Sequence, residues 1–326
     1  MQRRALPSVK TETDLSLRDL QKFAEGWLLS GEIAQHSAAT LTNRRLYVRN
    51  LLWFLRRQEY ECCDVMELRA FFAYITNGHK ELGGRWGNPQ QTKPVTSSTV
   101  ATYHRHISAM FSWIVAEGRL EVSPMNRIPP PVDRPDDVQP FTDEQVNALL
   151  AAAKKSMFPR RDEAIVWFML DTGVRASELS GLRFKDLDMT ARSARIEGKG
   201  GKARSIFFGK TAAKALWQYL KEDGRVLDDP LFLSRSGEPL NRLSLLQLMG
   251  RLGKEAQITT ARCSPHTFRH TFAVSFLRNG GNQMSLLRML GHTDLKMTAR
   301  YVKLAQADVE RQHRQFSPAD KLKARK

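Results

Sequence analysis

Residues 264–273 read Ser-Pro-His-Thr-Phe-Arg-His-Thr-Phe-Ala, and this stretch predicts the start of a helix. Ser264 suits the N-cap position and Pro265 the first helical position, where a backbone N–H would have no partner. His266 and Arg269 then lie on one face, three residues apart. A helix N-terminus presents backbone N–H groups and a positive dipole end, so the stretch indicates a phosphate site. A His-x-x-Arg pair alone is common in a basic chain. Whether this pair belongs to a functional site therefore depends on the other motifs of the sequence.

Two further stretches carry arginine and lysine in defined settings. Residues 172–179 (TGVRASEL) place Arg175 directly after a buried apolar helix that ends at a glycine stop signal. Residues 197–206 (EGKGGKARSI) predict two short strands around a glycine-rich turn that contains Lys199 and Lys202. Because Arg175 lies just past a buried helix, its aliphatic stem is expected to be held rigidly.

The last stretch combines a histidine and a tyrosine. Residues 290–292 (LGH) predict a helix that stops at glycine, and Tyr301 follows His292 by nine residues. Nine residues span about two and a half helical turns, so the two side chains would face opposite ways on one straight helix. They converge only if the chain turns near His292.

The chain is strongly basic, and the charge is concentrated in its second half. The net charge is +17, of which residues 141–326 carry +14 and residues 1–121 carry +4. Residues 122–140 hold six of the fourteen prolines, which predicts an interdomain linker because proline neither continues a helix nor donates to a sheet. The excess positive charge indicates a polyanionic partner.

Several other classes of protein do not fit. The glycine-rich turn lacks the Gly-Lys-Ser/Thr ending of a phosphate-binding NTPase loop. The chain has no C-x-x-C or H-E-x-x-H pattern and no paired carboxylates typical of a metal nuclease, so we expect no metal and no cofactor. Three cysteines cannot build a disulfide framework, and no apolar run suits a membrane span or a signal peptide. We therefore expect a cytoplasmic protein with no membrane partner.

Apolar residues at three- and four-residue spacing predict four helices within the first 121 residues. Their apolar stripes begin at Leu17, Val48, Leu68 and Val100, and a loop containing glycine and proline around residues 79–96 precedes the fourth helix. The aromatic residues of these stripes are interpreted as core. Beyond the linker, the pattern predicts further helices and one hairpin.

Basic side chains away from the stripes are candidates for contact with the DNA backbone. These candidates are Arg45, Arg49, Arg105, Lys202, Arg204 and Arg242. For the helix arginines, a solvated basic face is an equally simple interpretation.

Together, these stretches resemble the tyrosine recombinase (phage integrase-like) family, particularly its bacterial Xer-type members. The stretch around Arg175 is similar to the family's first arginine box, and the one around Arg269 to its histidine–arginine box. The stretch that ends at Tyr301 is similar to the C-terminal box, and the hairpin resembles the one that carries the catalytic lysine. The resemblance covers residues 15–305 and is specific within residues 170–303.

This resemblance implies a mostly α-helical fold with a small β-sheet. An N-terminal four-helix (SAM-like) core-binding domain that clamps DNA is expected over residues 15–121, followed by the proline-rich linker over 122–140. A C-terminal α+β catalytic domain is expected over 141–305, and a basic tail over 306–326. The implied assembly is a homotetramer on two synapsed sites of double-stranded DNA, alone or with a second recombinase. The tail either joins a neighbouring subunit or is a frayed basic end.

The resemblance also assigns catalytic roles. Tyr301 attacks the scissile phosphate, which leaves a 3′-phosphotyrosyl link and a free 5′-hydroxyl. Because the link conserves the energy of the ester, rejoining needs neither ATP nor a metal. Arg175 and Arg269 clamp the non-bridging oxygens, and His292 donates a further hydrogen bond. His270 is expected to fill space beside the catalytic helix.

Proton transfer is assigned in the same way. The phenol of a free tyrosine has a pKa of ~10, so its proton needs an acceptor, and His266 is the candidate. Lys199 is the candidate general acid for the leaving 5′-oxygen, although Lys202 in the same turn could take this role. Glu178 is expected either to orient active-site side chains or only to pair with Arg175 at i, i+3.

Two other functions share parts of the pattern. A type IB topoisomerase uses the same nucleophile and phosphate clamp to relax supercoils, but the Xer-like boxes favour a recombinase. A non-catalytic DNA-binding regulator could keep the fold, but the intact Tyr301, Arg175 and Arg269 argue against it. Binding alone needs no phenol nucleophile.

Overall fold

The computed structural model describes residues 15–79, 83–132, 139–198, 203–221, 224, 226–291, 301, 313–314, 317 and 319–320. Over these residues the protein is mostly helical, with two small sheets. The chain forms two compact units, Met1–Asp136 and Asp137–Lys326. None of the helices in the described ranges has the length and apolar character to cross a membrane.

The N-terminal unit contains the four helices that the sequence predicts. They are α1 (Leu17–Ile33), α2 (Ala38–Arg57), α3 (Val65–Thr76) and α4 (Ser97–Ala116). Three of them begin after hydroxyl side chains, Ser16, Ser37 and Thr96, which accept hydrogen bonds from backbone N–H groups of the first turn.

The apolar stripes of these helices form one core. All six apolar residues of the predicted fourth stripe are buried, namely Val100, Tyr103, Ile107, Met110, Phe111 and Ile114. The core also contains one polar pair, because the Asn50 amide donates to the Tyr103 hydroxyl over 2.6 Å. The interpretation of the aromatic residues as core is confirmed.

The loop before α4 is tied to this core by Trp86. This residue lies in a short 3-10 helix (Arg85–Gly87). Its ring centroid lies 5.6 Å from that of Trp53, 6.0 Å from Phe71 and 5.3 Å from Tyr74. In the same unit, β1 (Leu15–Ser16) pairs antiparallel with β2 (Cys62–Cys63).

The C-terminal unit places one apolar helix at the centre of its core. In chain order its elements are α5 (Asp143–Lys154), α6 (Pro159–Thr172), α7 (Ala176–Gly181), β3 (Leu187–Asp188), β4 (Ser193–Glu197), β5 (Ala203–Phe207), α8 (Lys210–Leu220), α9 (Arg242–Glu255), α10 (Pro265–Arg278) and α11 (Gln283–Leu290). Helix α6 packs against α5, α8 and α10. Ala164, Ile165 and Phe168 are fully buried, as an all-apolar helix surface requires.

The predicted hairpin is present, with one strand more than the sequence indicated. Strands β3, β4 and β5 form an antiparallel sheet in that order. The β4–β5 register runs from Ser193 opposite Phe207 to Glu197 opposite Ala203. The two-residue strand β3 is too short to show an alternating pattern in the sequence.

Candidate active site

The start of α10 follows the sequence prediction. Ser264 is the N-cap, and its hydroxyl accepts a hydrogen bond from the Thr267 backbone N–H over 3.3 Å. Pro265 occupies the first helical position. This geometry leaves His266 exposed and turns Arg269 into the protein, where its side chain is buried.

Arg269 connects the ends of two other helices. Its Nη1 donates to the Gly173 carbonyl over 2.8 Å, and its Nη2 donates to the Leu290 carbonyl over 2.6 Å. Gly173 ends α6 in the left-handed conformation, with φ of +59°. A Cβ atom there would lie 2.3 Å from Cδ1 of Phe272, so the position needs glycine for two reasons.

The surroundings of Arg269 change its acidity without removing its charge at neutral pH. Burial lowers the pKa of Arg269 to about 10, and the nearby positive charge of Arg175 acts in the same direction. The negative charges of Tyr301, when ionised, and Glu178 act to raise it. The guanidinium therefore stays cationic and close to Tyr301 at neutral pH.

Arg175 lies at the N-cap of α7 and binds two groups. Its Nη1 donates to Glu178 Oε1 over 2.8 Å, and its backbone N–H donates to Glu178 Oε2 over 2.9 Å. Its Nη2 reaches the Gly291 carbonyl at 3.4 Å. Arg175 and Arg269 therefore donate to consecutive carbonyls, those of Gly291 and Leu290, at the end of α11. The Arg175 side chain is 36% exposed, so solvent reaches it.

Glu178 is also held by a second arginine, Arg204, which the sequence predicted to contact DNA. Arg204 donates from Nη1 to Oε1 over 2.7 Å and from Nη2 to Oε2 over 3.0 Å. Burial acts to raise the pKa of Glu178, but hydrogen bonds from Arg204 and Arg175 outweigh it and hold the pKa below its ordinary value. The expected role of Glu178 in orienting an active-site side chain is consistent with these contacts.

Arg204 was predicted to contact DNA, and in the structure its side chain binds groups within the protein. Its side chain is only 15% exposed and its donors point inward, because the buried carboxylate of Glu178 offers two acceptors. The alternation of β5 could have indicated this, since residues two apart share a face and Ile206 belongs to the core.

His270 joins the tyrosine to the exposed histidine. Its Nε2 lies 3.0 Å from Nε2 of His266, and the two rings are perpendicular, at an angle of 87°. On its other side, the ring centroid of His270 lies 5.1 Å from that of Tyr301. Tyr301 is 3% exposed and packs with apolar residues of α10 and α11, including Phe272 and Leu286.

The remaining predicted site residues fall into two groups. Lys199, Lys202 and His292 lie outside the described residues. Of the predicted DNA contacts, Arg49, Arg105 and Arg242 are exposed on their helices, and Arg45 is exposed but forms an ion pair with Glu32 of α1.

The described residues thus bring Tyr301 close to Arg269 and His270, and Arg175 binds the carbonyl next to the one that Arg269 binds. Groups of these types can supply a nucleophile and stabilise negative charge on a phosphate. The sequence profile of the phage integrase family matches residues 139–308 of this chain. The tyrosine recombinase XerD of Listeria innocua serovar 6a is 30% identical over 227 residues, which cover 68% of this chain and 76% of XerD. The tyrosine recombinase XerC of Roseiflexus castenholzii is 28% identical over 274 residues, or 81% of this chain and 86% of XerC.

The fold is also that of solved recombinases. The Tn1549 transposon integrase in complex with a circular intermediate DNA matches with a TM-score of 0.68 at 20% identity, over 91% of this chain and 99% of that one. A lambda integrase dimer bound to a core site matches with a TM-score of 0.67 at 15% identity, over 85% and 96% of the two chains.

The protein is a tyrosine recombinase, an enzyme that breaks and rejoins DNA. The chain belongs to the phage integrase family. The predicted fold class, mostly α-helical with a small sheet, is confirmed.

Proposed function

We propose that Tyr301 is the nucleophile of this recombinase and that Arg175 and Arg269 hold the scissile phosphate of duplex DNA. One observation carries the assignment. Both arginines donate to consecutive carbonyls at the end of α11, and Tyr301 packs on the same helix and on α10. These groups come from distant parts of the chain, so their convergence is a property of the fold.

The proposed reaction uses these groups as follows. A bond forms between the Tyr301 hydroxyl oxygen and phosphorus, and the bond from phosphorus to the 5′-oxygen breaks. His266 accepts the phenol proton, and Lys199 or Lys202 gives a proton to the leaving oxygen. Attack by a 5′-hydroxyl on the phosphotyrosyl link reverses each step and rejoins a strand, with no ATP required.

Arginine suits the role of phosphate clamp at this site. The transition state of the transfer spreads negative charge over the non-bridging oxygens, and preorganised donors stabilise it. Arg175 and Arg269 are already held by carbonyl oxygens of the protein, so the clamp needs little reorganisation when DNA binds. His292 would add a donor at the residue that follows Gly291.

The wider assignments follow the family. Residues 15–121 would be the core-binding domain, 122–140 the linker, 141–305 the catalytic domain and 306–326 the tail. We propose double-stranded DNA as the substrate, a homotetramer on two synapsed sites as the active assembly, and the cytoplasm as its location. The DNA complexes of the Tn1549 and lambda integrases support the choice of substrate.

The nucleophile is tested by trapping the covalent intermediate. Nicked genomic fragments of the source organism are incubated with the full-length protein, and protein-linked DNA is recovered in SDS and sequenced. A nicked duplex built from the recovered sequence should then form an adduct with the wild type but not with Tyr301→Phe, which should still bind it. Tyr219→Phe is the matched control and should keep the adduct. An adduct with Tyr301→Phe would exclude Tyr301 as nucleophile.

A plasmid that carries two copies of the recovered site separates recombinase from topoisomerase. Recombination inverts or excises the segment between the sites, whereas relaxation changes only the linking number. Relaxation without exchange of flanking DNA would favour the topoisomerase alternative.

A further inference from the structure

Three arginines bind three consecutive carbonyls at the C-terminal end of α11. Arg204 Nε donates to Met289 over 2.9 Å, next to the bonds that Arg269 and Arg175 make with residues 290 and 291. The last carbonyls of a helix have no partner within the helix and form the negative end of its dipole. Cations at this end therefore both satisfy these carbonyls by hydrogen bonds and interact favourably with the helix dipole.

Arg204 differs from the other two because it belongs to the hairpin. It lies on β5, directly after the turn that holds Lys199 and Lys202. Its Nη1 and Nη2 bind the two oxygens of Glu178 as a fork, while Nε binds the end of α11. One planar guanidinium thus connects the hairpin, α7 and α11, a task that the point charge of a lysine cannot perform.

The backbone at Gly291 is shaped for this side chain. Gly291 ends α11 with φ of +62°, and a Cβ there would lie 2.9 Å from Cζ of Arg204. The guanidinium therefore lies against the backbone where the C-terminal box begins. A side chain at residue 291 would displace it.

The charges show what Arg204 does for Arg175. Glu178 alone would neutralise Arg175, because the two side chains form an ion pair at 2.8 Å. With Arg204 bound to the same carboxylate at 2.7 Å, the group of three carries a net charge of +1. Arg175 therefore remains effectively cationic toward a phosphate while Glu178 still holds it in place.

We propose that Arg204 is a positioning residue for DNA cleavage, which holds Glu178 and the end of α11 so that Arg175 stays oriented and cationic. This proposal rests on the proposed function, since it assumes that Arg175 binds the scissile phosphate. It replaces the expectation that Arg204 itself contacts DNA.

The test compares cleavage with binding in the full-length protein. On the nicked duplex recovered above, Arg204→Gln should lower the single-turnover rate of adduct formation by roughly 100-fold, as expected when a reacting group is displaced by about 1 Å. Its affinity for the same duplex should change less than about threefold, since no phosphate contact is lost. Arg204→Lys should recover little, because it restores charge without the fork. Arg195→Gln, on the neighbouring strand and exposed, should cleave at the wild-type rate.

Two further measurements separate positioning from mere structural support. Guanidinium ion at millimolar concentration should restore part of the cleavage by Arg204→Ala, which a globally destabilised variant would not show. If Arg204→Gln does not fold, Gly291→Ala provides the second test, since it keeps every charge but displaces the guanidinium, and its cleavage should fall with binding retained.

The proposal is overturned if Arg204→Gln or Gly291→Ala cleaves at the wild-type rate. It is also overturned if cleavage by Arg204→Gln falls only as far as DNA affinity falls, which would make Arg204 a DNA contact. Wild type and Tyr301→Phe are run in parallel, so that failure of the nucleophile assignment is seen independently of Arg204.

Discussion

The imidazoles of His266 and His270 face each other across one turn of α10, with their Nε2 atoms 3.0 Å apart. One Nε2 must carry the proton and the other must accept it, so at least one ring is neutral at this atom. Because His270 is fully buried and also packs against Tyr301, it links the proposed base to the proposed nucleophile. His270 is buried, as expected for a residue that fills space beside the catalytic helix, but it also forms this hydrogen bond.

Replacement of His270 should therefore lower the rate of DNA cleavage. We expect His270→Leu to slow adduct formation by roughly 10- to 100-fold, because the His266 ring loses the partner that orients it. His270→Gln keeps a donor and should recover part of the rate. The measurement is single-turnover adduct formation on the nicked duplex, with thermal unfolding in parallel. A wild-type rate for His270→Leu would reduce His270 to a packing residue.

Gly173 should tolerate no side chain. Gly173→Ala combines a left-handed backbone with a Cβ only 2.3 Å from Phe272, so we expect the free energy of unfolding to fall by about 2–4 kcal/mol. Gly250→Ala is the matched control, because Gly250 lies in α9 with open space around it. That variant should gain about 0.5–1 kcal/mol from reduced chain entropy. Equal stability of the two variants in urea unfolding would contradict the close packing at Gly173.

Glu178 should make stability depend on pH in a defined direction. Glu178→Gln leaves two guanidinium ions without their carboxylate, which should cost about 3 kcal/mol of unfolding free energy at neutral pH. Folding lowers the pKa of Glu178 below its ordinary value of 4.5. The charged carboxylate therefore stabilises the fold above pH 4.5, and this contribution disappears as the pH falls through the folded-state value.

The difference between wild type and Glu178→Gln should thus shrink in acid, and urea unfolding at a series of pH values measures it. Glu255→Gln on the exposed face of α9 is the control, with a change within about 0.5 kcal/mol at every pH. A difference that stays constant into acid would show that the carboxylate charge is not responsible.

The N-terminal arginines should differ in their contribution to DNA binding. Each phosphate contact adds about 0.9 to the slope of log affinity against log salt concentration. We expect Arg49→Gln and Arg105→Gln each to lower that slope by about 1, because both side chains are exposed. Arg45→Gln should change it less, since Arg45 already pairs with Glu32. Fluorescence anisotropy of a labelled duplex over a range of salt concentrations gives the slopes. Unchanged slopes for Arg49→Gln and Arg105→Gln would exclude these residues as phosphate contacts.

The helices and their caps could be predicted because the signals are local. Apolar spacing marked the buried faces of α1 to α4, the continuous apolar run marked α6 as a buried helix, and Ser264 with Pro265 marked the first turn of α10. The family boxes around Arg175, Arg269 and Tyr301 were equally visible, because they consist of rare combinations of residue types.

The hydrogen-bond partners of these side chains could not be predicted from local sequence patterns. Arg204 is 26 residues from Glu178 and 85 from Met289, and Arg269 is 96 from Gly173. Which donor meets which acceptor depends on how α6, α10, α11 and the hairpin pack, and no local pattern encodes that. The sequence by itself thus determined the family, the helices and the candidate residues for the reaction. Only the tertiary structure decided that three arginines share one helix end and that two of them share one carboxylate, because long-range packing brings those groups together.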